Sequence, residues 1–77
     1  MYCKLSNIPL KTIREYLEWK GLKNIRTKGG HETWCRTDLL RPIIIQTHVD
    51  PVPEFIVKQI LRHLNANRDD LGNFLQT

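Results

Sequence analysis

A chain of 77 residues buries only roughly 60 to 65% of the surface its unfolded form exposes, so it builds one small core, with no room for a second domain. Hydrophobic residues at 40% and charged residues at 26% are too apolar a mix for a disordered tail. They are also too polar for a membrane protein, whose helix needs about 20 consecutive apolar residues, because no apolar run here outlasts Ile43, Ile44 and Ile45. Twelve Lys and Arg against eight Asp and Glu leave a net charge of +4, which permits attraction to phosphate without proving it.

In chain order, Leu10, Ile13, Leu17 and Lys20 recur at helical spacing between Pro9 and Gly21, the expected Pro-before, Gly-after asymmetry of a helix. On its other side Lys11 with Glu15, and Arg14 with Glu18, are spaced to pair at i, i+4. Leu22 to Lys28 reads as a strand ended by Gly29 and Gly30, and HETWCRT after them as its hairpin partner. Beyond Pro42, Ile43 to Ile45 make a third, β-branched strand that extends the hairpin to a meander. After Asp50-Pro51-Val52-Pro53 a second helix follows from the 3.6-residue period of Phe55, Ile56, Ile60, Leu61 and Leu64, and it ends near Asn65 and Asn67. Asn67 with Asp69 and Asp70 starts a short terminal helix carrying Leu71, Phe74 and Leu75.

The predicted class is α+β, in the order α-β-β-β-α with one short helix appended, forming a single domain over residues 1–77. Two amphipathic helices cover one face of a three-stranded antiparallel sheet and leave the other open. That is the double-stranded-RNA-binding-domain (dsRBD) arrangement, whose members recognise A-form helices mainly through shape and backbone contacts.

The richest segment is Trp19 to His31, WKGLKNIRTKGGH, with Lys20, Lys23, Arg26 and Lys28 and no acid before Gly29, Gly30 and His31. Turn glycines let a phosphate approach backbone amides, and histidine is the side chain that exchanges protons near neutral pH. The plain alternative is that the glycines satisfy a type I′ turn and His31 merely opens a strand. Two cysteines, Cys3 and Cys35, lack the spacing of a zinc site and read as reduced thiols. The opening MYCKLSNIPL has no apolar signal region, and no lipidation signal is present, so the expected location is the cytoplasm.

Gly21-Leu22, the basic strand, Lys28-Gly29-Gly30-His31 and Trp34 together resemble the HicA toxin family over roughly residues 6 to 64. The resemblance implies a metal-independent, cofactor-free endoribonuclease. Such a toxin cleaves translated mRNA and is neutralised by a HicB-type antitoxin. His31 matches the family's catalytic histidine, and Lys28, Gly29 and Gly30 match its turn positions, with Arg26 and Lys23 as further phosphate contacts. Chemically, a histidine can take the proton of a 2′-hydroxyl that attacks the adjacent phosphorus, or protonate the departing 5′-oxygen, while cations offset the charge on phosphate.

Departures from the family pattern are equally visible. Glu32 stands where many members have a second histidine; neighbouring strand residues point to opposite faces, so it should not touch the His31 imidazole. Gly30 replaces a common serine. His48 follows the third strand where the family often has Pro-x-His and is an auxiliary candidate, with an exposed loop histidine as the alternative. His63 is explained by the end of the second helix. Trp34 is expected in the core, Tyr16 and Trp19 cannot both face inward, and Cys35 has no base to activate it. A second functional class keeps the same fold and basic strand as a non-catalytic RNA-binding module.

Overall fold

Helix α1 spans Leu10–Trp19, and its length follows from what stops it at each end. In the computed structural model, which describes residues 8–75, Pro9 stands at the N-cap and supplies no side-chain bond to the first turn. Asp50, forty residues on, does so instead: its Oδ1 accepts from the Leu10 amide at 3.0 Å. At the far end Gly21 adopts φ +90°. The Gly21 and Leu22 amides donate to the carbonyls of Glu18 and Leu17, the bond pair that closes a helix on a left-handed residue.

The strands β1 (Lys23–Lys28), β2 (His31–Cys35) and β3 (Ile43–Gln46) form an antiparallel sheet in the order β1-β2-β3. Helix α2 (Glu54–His63) then closes on Asn65, φ +54°, by the same two bonds, from the Asn65 and Ala66 amides to Arg62 and Leu61. Helix α3 (Arg68–Leu75) begins at Asn67, whose Oδ1 accepts from the Asp70 amide at 2.9 Å. The chain is therefore α+β, with three helices and one open three-stranded sheet, in the element order expected from the sequence.

Register decides which side chains share a face. His31 lies opposite Lys28 on one side and Gln46 on the other, Glu32 opposite Thr27 and Ile45, and Trp34 opposite Asn24 and Ile43. Glu32, Trp34, Ile43 and Ile45 are buried while His31, Ile44 and Gln46 are exposed, so the helices cover the even rungs of β2. The core beneath them takes Ile13, Tyr16 and Leu17 from α1, Val57, Ile60 and Leu61 from α2, and Leu71 from α3. Each such side chain contributes roughly 1.5–3 kcal/mol by leaving water.

Helix α3 is held by more than Leu71. Phe74 lies 5.4 Å from the Tyr16 ring and 5.2 Å from Trp19, and the Tyr16 hydroxyl donates to Asp70 at 2.6 Å. Burial and the hydrogen bond to Asp70 push the phenol's pKa up. The Tyr16 bond, aided by Lys20, holds the Asp70 carboxyl below its usual range despite burial.

Trp34 is buried as expected, and of Tyr16 and Trp19, which could not both face inward, Tyr16 is the buried one and Trp19 the exposed one. One expectation fails. Neither Lys11 with Glu15 nor Arg14 with Glu18 forms an ion pair among the described residues, and Arg14 instead reaches across to Glu32. Lys20, one of the four cations between Trp19 and His31, is paired with Asp70 at 3.0 Å. Cys35 is a half-buried free thiol, whereas Cys3 and most of the MYCKLSNIPL segment lie outside the described residues. No helix among the described residues is long and apolar enough to cross a membrane.

Candidate functional site

The β1–β2 turn is built from two glycines because both positions need positive φ: Gly29 is at +58° and Gly30 at +79°, as a two-residue hairpin of type I′ demands. The turn is tied to the end of β3. The Gly30 carbonyl accepts from the Thr47 amide at 2.7 Å and from its hydroxyl at 3.1 Å. A Cβ on Gly30 would stand 3.6 Å from Thr47 Oγ1 and 3.8 Å from His48 Nδ1. His48 therefore flanks the same turn that delivers His31 into β2.

On the helix-free face, Lys28, His31 and Gln46 form one cross-strand rung, with Arg26, Thr33 and Ile44 on the next rung of the same face. Directly opposed Cβ atoms lie about 5 Å apart and diagonal ones about 7–8 Å, so Lys28 and Arg26 both reach a group resting on His31. Lys23 is differently placed. It pairs with Cys35 beyond a bulge between Asn24 and Arg26, about 13 Å along β2 from His31 at the usual strand rise, and borders a groove with Arg14 and Glu18. It can serve a neighbouring phosphate and not the one at His31.

Lys23, Arg26 and Lys28 form no ion pair among the described residues, and no residue on the rungs of this face is an acid. The one acid adjacent in sequence, Glu32, points the other way. Its carboxylate accepts from Arg14 Nε at 3.1 Å and Nη2 at 2.6 Å, and from the Trp34 indole at 3.0 Å. Burial alone would raise its pKa, but the hydrogen bonds from Arg14 and Trp34 and the guanidinium charge outweigh that and hold the carboxyl low. Glu32 is thus a clamp between β2 and α1 that fixes the rotation of the strand carrying His31.

The structure brings His31, Lys28, Arg26, Gly29, Gly30 and His48 to one corner. Sequence reasoning missed Gln46 and Thr47, whose placement depends on how the segment from Arg36 to Pro42 returns the chain. It also missed the Arg14–Glu32–Trp34 clamp, for which the alternation of β2 was the available signal. Among the described residues no group of three or more His, Cys, Asp or Glu is positioned to hold a metal ion. Chemically, the corner can hold a phosphate against two cations and offer it imidazole nitrogens for proton transfer. None of the protein families, curated proteins or solved structures compared with this chain matches it.

Proposed function

We propose that the chain is a HicA-like endoribonuclease with a dsRBD-like fold, the mRNA-cleaving toxin of a toxin–antitoxin pair acting in the cytoplasm. The observation that supports this reading best is the Lys28–His31–Gln46 rung on the uncovered face, with Arg26 beside it and no acid nearby. A phosphodiester resting on Lys28 and Arg26 places its ribose beside His31. His31 takes the 2′-hydroxyl proton, the 2′-oxygen attacks phosphorus, and the bond to the 5′-oxygen breaks, giving a 2′,3′-cyclic phosphate and a 5′-hydroxyl. The departing oxygen needs a proton, and His48, flanking Gly30, is the second group able to supply one. Both transfers use protein groups alone. A HicB-type antitoxin inhibits by covering His31 and the cations around it.

The test is His31→Ala. RNA cleavage and growth arrest should fall by roughly 10²- to 10⁴-fold, while RNA binding stays within a few-fold and cleavage by the parent chain survives a chelator. Undiminished cleavage by His31→Ala removes the catalytic assignment. RNA binding without cleavage by the parent chain makes the protein a binding module.

A further inference from the structure

The two edges of the sheet differ in a way the nuclease reading does not use. Edge strand β1 is exposed along its whole length and carries Lys23, Arg26 and Lys28, the charged pattern that keeps edges from recruiting other strands. Edge strand β3 reads Ile-Ile-Ile-Gln and carries no charge. No further described strand pairs with its outer side, where the Gln46 carbonyl accepts a local bond from the Val49 amide at 3.3 Å. Beside it runs a cleft of about 390 Å³ that extends from His31, Ile44 and Gln46 to Ile56, Gln59 and His63 of α2. An edge strand alongside a helix, with an apolar groove between them, is the geometry in which an extended peptide adds to a sheet, gaining affinity from main-chain bonds and selectivity from alternate side chains.

We propose that β3 and α2 form a binding site for an extended segment of a partner protein, apolar at alternate positions and acidic at its C-terminal end, which adds antiparallel to β3. The charge at the start of the strand selects that occupant. Before Ile43 lies Arg41, in a second groove with Arg62 and His63, whose acid, Asp38, is held by Arg36. Arg41 and Arg62 form no ion pair among the described residues.

A second copy of the chain fits poorly. Antiparallel pairing of β3 with itself about Ile44 brings the Arg41 end of one copy against the Thr47 and His48 end of the other. The nearest acids, Asp38 and Asp50, are already engaged by Arg36 and by the first amide of α1. The site stands apart from the nuclease reading, although its cleft reaches His31.

Titration of the isotope-labelled full chain with the capped peptide Thr-Thr-Val-Thr-Val-Thr-Glu, followed by NMR, tests the site. The expected result is saturable shifts in the amides of Ile43 to Gln46 and of Ile56 and Gln59. A peptide with Lys in place of its Glu should bind about tenfold more weakly, and one methylated at alternate backbone nitrogens should not bind. Gln59→Trp, at an exposed position that leaves the core untouched, should abolish the shifts while the rest of the spectrum is retained. The proposal is overturned by an absence of saturable shifts, by shifts confined to β1, or by equal binding of the methylated peptide. A dimer through β3 in sedimentation, or a short RNA that shifts the Ile56 and Gln59 amides of α2, overturns it as well.

Discussion

His31 and Glu32 are consecutive residues of one strand, and the two faces they occupy are organised oppositely. On the helix side the carboxylate of Glu32 is matched by Arg14 and Trp34, at the border of the apolar core. On the open side His31 sits with Lys28, Arg26 and Gln46, exposed and without an acid. The contrast shows how a very small domain keeps a basic face beside an apolar core. The charge that needs a partner is satisfied where it stabilises the fold, and Arg26 and Lys28 are left on the side that solvent or a ligand can reach.

Breaking the open side should have the largest effect, and it should be chemical: His31→Ala removes cleavage as described above while its thermal midpoint stays within a few degrees of the parent. Breaking the covered side should do the reverse. Glu32→Ala leaves the Trp34 indole and the Arg14 guanidinium without their acceptor and should cost about 2 kcal/mol in urea unfolding. Arg14, 38% exposed, can still be rehydrated, which keeps the loss below that of a fully buried pair. Cleavage per folded molecule should change only a few-fold.

Gly30→Ala tests the link between the faces. The added Cβ meets only ordinary contacts at 3.6 and 3.8 Å, so the expected loss of about 1 kcal/mol comes from the φ of +79°. Cleavage should fall with it as His31 and His48 shift apart. Lys28→Ala should lower the salt dependence of RNA binding by about 0.7 in the logarithmic slope, the share of one phosphate contact on a single strand.

The smallest effect is in acid. Glu32 and Asp70 both have folded pKa values held below their ordinary ones. The stability they supply is therefore complete above the unfolded carboxyl range near pH 4 and is lost as pH falls through the lower folded values. Glu32→Gln should flatten that acid limb. An unchanged limb would mean that the clamp does not contribute to stability.

Much of the architecture was legible before any coordinates. The period of Ile13 and Leu17, bracketed by Pro9 and Gly21, marks α1, and the diglycine marks the hairpin because two consecutive positive φ values exclude almost every other pair. Alternation along β2 separates His31 from Trp34. The partners of the charged groups were not legible. Arg14 has Glu18 one turn away in sequence, yet it bonds to Glu32 because burial strengthens a charge-assisted bond that water would weaken at the helix surface. Lys20 stood among the four cations that precede Gly29, and the docking of α3 gives it to Asp70.

What the sequence by itself determined is local: where helices begin and stop, where the chain must turn, and which residues alternate across a strand. These are set by backbone sterics and side-chain spacing within a few residues. Tertiary structure alone decided that Asp50 caps α1, that Gln46 completes the rung of His31, that His48 reaches Gly30, and that β3 is left as an uncharged edge. Each depends on the path of a loop between distant segments, and a loop's path is chosen by the packing of the whole core rather than by its own residues.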